Sequence, residues 1–513
     1  MALNQRKAGV LLSYIIIGLN NVLGLIYTPY MLRMMGQSEY GLYSLASSII
    51  IYLSIFDLGF GHTIVRYTAR LRAEGKTDEQ YAMFGLFVVV YSIISVIALI
   101  AGLALYFNID SFFGNTFSIE ELYKVRIIVL LMLFNLSFTF LFSIFGSIIS
   151  AYENFVFLRT VNIIRIVLNT LTMVIMLEMG YRAIGMAVVA TIFNIITLLL
   201  NLWYCVYRIK IKIYFRKFEW GFFKELSVYS FYIFLIMIMD RIYMNSGQFV
   251  LGSFEGTVSV AVFTIAIQFQ TMFVSFSTAI SSVFLPKVTE MTTKENSDKD
   301  ISDLFIRTGR LQYIIISFIL IGFIVFGRQF IYLWAGSGYE GVYLITLLLF
   351  LSISVSLIQN LGNTILRARN QMKVQSLIYV AIAGFSLLLQ VLLAKRFGGL
   401  GCAVAIAIPM ILGHVVIMNI YYAKKQGLDI AAFWKNIIQM SIAPCVLGVI
   451  SFFMVRHLNL YSIPMLALGM LIFSLIYIFV FWKISMNQYE RDLLLVPIQN
   501  LYYKLRRKQK SAL

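Results

Sequence analysis

Asp240 and Arg241 stand side by side in FLIMIMDRIYMNSGQF (234–249), inside a window that is otherwise uncharged from Leu226 to Phe254. A second group, Arg159, Asn162, Arg165 and Asn169, recurs at intervals of three and four, which on a helix is one face. Asp57, His62 and Arg66 follow one another within DLGFGHTIVR (57–66), and Gln268, Gln270, Gln359, Asn360 and Asn363 form a set of amides ahead of Arg367 and Arg369. Guanidinium groups bind phosphate oxygens as a planar fork and keep their charge in any environment. Amides both donate and accept, as sugar hydroxyls require. Asp57 and Asp240 are the carboxylates placed to take up a proton or a sodium ion. No His/Glu or Cys cluster has metal-ligand spacing, and no glycine-rich phosphate loop for ATP is present. The chemistry these residues suit is recognition of an anionic, hydroxylated ligand.

Each group also has a plainer reading. Arg159 and Arg165 can snorkel to headgroups, Arg66 can anchor a membrane edge, and His62 can be a packing residue with a satisfied hydrogen bond. The amides can bond helix to helix for about 1 kcal/mol or less each. Asp240 and Arg241 can be a locked ion pair among Asn245 and Gln248, although neighbouring residues on a helix point about 100° apart.

The elements that position these residues follow from composition. Apolar residues make up 60% of 513, charged residues 12%, and the mean hydropathy is +0.87. A soluble domain of this length does not carry such a surface, so the chain reads as an integral membrane protein. With about 20 apolar residues needed per crossing, the sequence divides into fourteen spans: 8–32, 41–63, 82–107, 127–149, 160–179, 184–206, 227–250, 258–283, 311–327, 341–365, 374–394, 399–421, 437–455 and 463–482. The first is too long for a signal-peptide core and lacks a cleavage site, so it is expected to stay. With the N-terminus inside, inner segments hold 31 of the 41 lysines and arginines and outer ones 8, which predicts cytoplasmic termini in a multi-pass membrane protein. The net +18 is then a topology and lipid-headgroup signal, and the tail KLRRKQK (504–510) is expected against anionic membrane lipid rather than nucleic acid. Cys205, Cys402 and Cys445 lie in or at the ends of apolar runs and offer no disulfide framework.

The chain also repeats itself. At offsets of 216 to 220, MLRMMGQSEYGLYSLA (31–46) falls on LGSFEGTVSVAVFTIA (251–266), GSIISAYEN (146–154) on GNTILRARN (362–370), and AIGMAVVATI (183–192) on GLGCAVAIAI (399–408). Six spans separate the partners, so the copies are parallel repeats about an axis along the membrane normal. The expected organisation is all-α: 1–215 as an N-lobe of six spans, 216–426 as a C-lobe of six, 427–485 as two extra spans, and 486–513 as a basic cytoplasmic tail.

The opening GLIYTPYMLRMMGQSEYGLYSLA, the DLGFG of 57–61, the Asp240–Arg241 pair, LPKVTEM (285–291) and WAGSGYEGV (334–342) resemble the Wzx-type oligosaccharide flippases, which handle O-antigen and other surface polysaccharides. These belong to the superfamily that also holds the multidrug antiporters and the lipid II flippases. The resemblance implies two six-helix lobes around a central cavity, alternating access in a bacterial cytoplasmic membrane, and a substrate of undecaprenyl-diphosphate-linked glycan. It implies no enzymatic chemistry and no cofactor beyond proton or sodium coupling, and it makes polysaccharide polymerase or assembly proteins the expected partners. On that frame Arg241, Arg165, Arg66, Arg159, Asn162, Asn169, Gln268 and Asn360 are the candidate ligands for diphosphate and glycan. Asp57 and Asp240 are the candidates for gating or coupling, with the DLGFG glycines allowing a bend at Asp57. A drug antiporter of the same fold would want acidic groups in its cavity, whereas span one carries Asn20, Asn21, Tyr27 and Thr28 and no carboxylate. A lipid II flippase remains the nearest alternative, although that family's cavity is more cationic and span one here has no arginine inside the apolar run. A polymerase or ligase would need a sizeable outer loop, and the longest here is 108–126.

Overall fold

The computed structural model describes residues 5–215, 220–293, 298–369, 371–492 and 495, and these form helices joined by short turns with no strand among them. The helices are α1 (Gln5–Leu53), α2 (Phe60–Ala73), α3 (Thr77–Phe107), α4 (Ile109–Phe113), α5 (Ile119–Ala151), α6 (Phe155–Glu178), α7 (Ala183–Trp203) and α8 (Trp220–Phe254). The chain continues as α9 (Thr257–Thr293), α10 (Asp298–Ala335), α11 (Gly341–Ile358), α12 (Asn360–Ala368), α13 (Met372–Met410), α14 (Met418–Gln426), α15 (Ile430–Arg456) and α16 (Ile463–Val480). Among the described residues, 11 helical stretches are long and apolar enough to cross a membrane. Two of them, Ala8–Ala73 and Lys373–Gln426, each contain two of the expected spans, and expected span seven lies within α8, so the architecture is consistent with fourteen crossings. Of the basic tail expected at 486–513, residues 486–492 and 495 are described and the rest lies outside the described residues.

Glycine decides where the long apolar runs turn. Gly36 (φ 79°) interrupts α1 and Gly398 (φ 53°) interrupts α13, in the left-handed region that an L side chain adopts only at a cost. Gly256, which the repeat offset superimposes on Gly36, has φ 94° and separates α8 from α9. The two copies therefore turn at matched glycines. They differ further along: Ser54–Asp57 tightens into a 3₁₀ turn, Leu58 (φ 52°) and Gly59 (φ 74°) reverse hand, and α2 starts afresh at Phe60, whereas α9 runs on without a break. At the other helix ends the signals are familiar: Ser118 and Glu121 close a capping box on α5, and the Asp429 side chain accepts from the Ala432 amide to cap α15.

The chain forms two compact units. The first takes in 1–272, 344–349 and 372–413. Here the two glycine turns meet at the end expected to face outwards. Thr257 Oγ1 donates to Glu121 Oε1 at 2.9 Å, Ser38 donates to the same carboxylate, and Thr116 Oγ1 donates to the Gly252 carbonyl at 2.8 Å. A β-carbon on Gly41 would lie 1.9 Å from the Thr257 carbonyl oxygen, so only glycine permits the approach. Gly41→Val is expected to cost about 1–3 kcal/mol and lower the melting temperature in detergent. Gly18→Ala, at a position with nothing within 4 Å, is expected to leave it unchanged. Equal melting temperatures for the two variants would show that the junction is not a tight contact.

The second unit takes in 273–343, 350–371 and 414–513. Its core brings Ile321, Val325 and Phe326 of α10 against Met440 and Val455 of α15 and Phe473 and Tyr477 of α16. Ser317 and Tyr477 share a 2.8 Å hydrogen bond within it, and a β-carbon on Gly448 would lie 2.7 Å from Ile321, so α15 and α10 approach closely there. The two expected extra spans are thus built into this unit's core through α10.

Candidate substrate cavity

The polar face of α6 is placed against α1 and α7 in the first unit, and it is graded along its length. Arg159 is exposed at the start of the helix. One turn on, Arg165 Nη2 donates to Asn162 Oδ1 at 3.0 Å, which fixes the guanidinium across the helix surface. Arg165 and Asn169 then line a cavity of about 420 Å³ together with Asn20, Gly24, Tyr27 and Tyr43 of α1. Met173, Met186 and Phe193 supply an apolar wall. Asn20, Gly24, Tyr27 and Met31 recur at intervals of four, three and four, so one stripe of α1 forms the side facing α6.

Two polar atoms in this wall are left over. The Tyr27 hydroxyl and the Asn169 carbonyl oxygen are buried and have no hydrogen-bond partner among the described residues. Each such atom costs about 1–3 kcal/mol when left unbonded, so the cavity presents one hydroxyl and one amide oxygen that a polar group can meet. No ion pair to Arg165 occurs among the described residues, and a guanidinium has five donors of which one is directed at Asn162. The arrangement can hold an oxyanion on Arg165 while a hydroxylated group meets Asn169, Tyr27 and Asn20. No group of three His, Cys, Asp or Glu side chains suited to a metal occurs among the described residues.

The other candidate residues lie elsewhere. Asp57 sits at the break between α1 and α2, where its Oδ1 accepts from the hydroxyl of fully buried Tyr91 at 2.8 Å. His62 and Arg66 are exposed on α2, the latter 5.8 Å from the Tyr67 ring. Arg241 is half-buried on α8, its carbonyl accepting from Asn245 at 3.3 Å, and it does not line the 420 Å³ cavity. The side chain of Asp240 lies outside what the structure describes.

The amides are engaged between helices. Gln268 donates to the Gly24 carbonyl at 3.2 Å and to Thr28 Oγ1 at 2.9 Å, tying α9 to the cavity stripe of α1. Gln270 donates to the Tyr243 hydroxyl at 2.8 Å. In the second unit Asn360 donates to Ser277 Oγ at 3.3 Å and accepts from Asn363, and Gln359 donates to Asn419 at 2.8 Å. Arg369 is committed to Asp298 and to the Gln426 carbonyl. Of the residues expected to touch substrate, then, Arg165 and Asn169 share a cavity, and Gln268 supports its wall.

Residues 7–292, more than half of the chain, match the family model described as polysaccharide biosynthesis protein. No curated protein matches the sequence. In fold the chain is similar to the lipid II flippase MurJ in an inward closed conformation, at 17% identity and a TM-score of 0.68, covering 90% of this chain and 99% of that one. It is also similar to an inward-facing multidrug resistance MATE family transporter of the MOP superfamily, at 13% identity and a TM-score of 0.61, covering 80% and 99%. A MOP superfamily transporter from Pyrococcus furiosus, whose binding pocket is described as reversed in polarity, follows at 13% identity and a TM-score of 0.53, covering 81% and 95%. The all-helical polytopic architecture is therefore the one these transporters share, and on the match over 7–292 this chain belongs to the polysaccharide biosynthesis protein family.

Proposed function

We propose that the chain is a flippase that moves undecaprenyl-diphosphate-linked oligosaccharide from the inner to the outer leaflet for surface polysaccharide assembly. Membership of the polysaccharide biosynthesis protein family supports this reading. The observation that carries the reading is the 420 Å³ cavity, where a guanidinium lies beside orphaned hydroxyl and amide oxygens. A cavity with this lining favours an anionic, hydroxylated head over a cationic drug, because no carboxylate is among its residues. Movement would proceed by alternating access in a bacterial cytoplasmic membrane with both termini inside. The break at Leu58–Gly59 beside Asp57 is a natural flexing point, and Asp57 and Asp240 are the places for proton or sodium coupling. Such coupling is not obligatory. An anion leaving an inside-negative cell gains about 2.3 kcal/mol per charge per 100 mV.

A second reading, lipid II transport, is favoured by one observation, the similarity in fold to MurJ at a TM-score of 0.68. Deletion of the gene separates the two. Loss of surface polysaccharide in viable cells, with lipid-linked oligosaccharide retained on the inner leaflet and restored export on complementation, is the expected result. Lysis with failed peptidoglycan synthesis would instead make lipid II the substrate.

A further inference from the structure

A second cavity in the first unit plays no part in the transport just proposed. It encloses about 960 Å³, at the upper end of ordinary ligand sites. Its long walls are Ile242, Ser246, Phe249 and Phe254 of α8 and Leu387 and Val391 of α13. From Ile242 to Phe254 the groove follows α8 for about 18 Å. That is close to the half-thickness of a bilayer's hydrocarbon core, about 15 Å.

Leu387, Val391 and Lys395 succeed one another at intervals of four, so the apolar stripe of α13 ends in a cation. Lys395 Nζ stands 5.0 Å from the centroid of the Phe254 ring, which holds the ammonium at the mouth of the groove. Arg396 follows it, exposed. Glu255 packs on the Gly398 turn beside these cations, Glu121 accepts from Thr257 and Ser38, and Asp110 is bonded to Arg126. The groove is thus mostly apolar, with Ser111, Asn115, Thr116, Ser246 and Ser253 as polar residues in its lining, and two cations stand at the end marked by Phe254.

We infer that this groove seats one acyl chain of an anionic phospholipid, with the phosphate at Lys395. An apolar space of this size left empty would forfeit the dispersion contacts of its whole lining, and the bilayer supplies chains of the right length. A polyprenyl chain is several times longer than the groove. The inference requires that the chain lie in a bilayer and is independent of which substrate is flipped.

Native mass spectrometry of the full-length protein tests it, with phosphatidylglycerol, phosphatidylcholine of the same chains and undecaprenyl phosphate as probes. Phosphatidylglycerol is expected to be retained in preference to phosphatidylcholine. Leu387→Trp, which fills the groove from a partly exposed position, is expected to remove it. Lys395→Gln is expected to weaken phosphatidylglycerol about fivefold, the worth of one lysine near an anionic headgroup, and to leave phosphatidylcholine unchanged. A photo-crosslinking residue at Phe112, which lines the same groove, is expected to label the acyl chain and keeps the test valid where Leu387→Trp folds poorly. Phosphatidylglycerol retention unaltered in both variants, no labelling from position 112, or undecaprenyl phosphate displacing phosphatidylglycerol at equal concentration would each overturn the inference.

Discussion

Arg310→Ala is expected to remove most of the protein from the membrane. Arg310 is 7% exposed and Glu490 1%, and they meet as a two-pronged pair, Nε to Oε1 at 2.5 Å and Nη2 to Oε2 at 3.1 Å. Two further donors are occupied: Nη2 also reaches the Ser485 carbonyl at 3.1 Å and Nη1 reaches Asn436 Oδ1 at 3.4 Å. Glu490 in turn accepts from the Asn487 amide at 3.0 Å. One guanidinium therefore joins α10, α15 and the segment after α16, with Tyr489 held beside Arg307 at 5.3 Å. Truncating it strands a buried carboxylate and two further acceptors, a loss of about 3–5 kcal/mol, which is a large part of a typical 5–15 kcal/mol of stability. Glu490→Ala should be similarly damaging. The double variant Arg310→Met with Glu490→Leu leaves no charge alone and fills the same volume, so its level by blot and its melting temperature in detergent should return close to wild type. A double variant as unstable as either single one would show that the geometry of the pair, rather than the stranded charge, holds α10, α15 and the segment after α16 together.

That pair shows what the sequence does not disclose. Arg310 looks like one more inner-loop cation and Glu490 like part of a charged tail, and 180 residues separate them; only packing of α16 on α10 brings them together. Hydropathy, by contrast, carries nearly the whole fold, because a span must be long and apolar wherever it sits. The repeat is legible to the level of backbone geometry: Gly36 and Gly256 match in sequence and both adopt positive φ. The break at Leu58–Gly59 is legible in one copy from DLGFG and has no counterpart in the other, where α9 continues. In the cavity, the α6 face was visible as a periodicity of charge and amide. Its opposite wall carries no such periodicity: Asn20 and Tyr27 stand out in span one only as uncharged polar residues, and the stripe they share with Gly24 and Met31 is otherwise apolar. The amides Gln268 and Asn360 show the limit of residue type as a guide, since the same group that suits a sugar also suits a neighbouring helix.

Arg165→Lys is expected to lower transport by at least about tenfold while the protein reaches the membrane at its normal level. The lysine keeps the charge and most of the reach, so any role confined to headgroup anchoring survives the change. What it loses is the planar fork, with one arm fixed on Asn162 and the others directed at the cavity. A charge-assisted hydrogen bond is worth about 1.5–3 kcal/mol, and about 1.4 kcal/mol corresponds to tenfold. Asn162→Ala should give a smaller loss, because it frees the guanidinium without removing it, and Arg159→Lys at the exposed start of α6 should be silent. Tyr27→Phe deletes a hydroxyl that has no partner in the empty cavity, so stability should hold or rise while transport falls. That opposition is the informative part: a hydroxyl kept for packing alone would give the same gain in stability with full transport. Surface polysaccharide on complementation and membrane level by blot, measured together for the four variants, separate the cases. Wild-type transport in both Arg165→Lys and Tyr27→Phe would show that the cavity between α1, α6 and α7 does not hold the substrate.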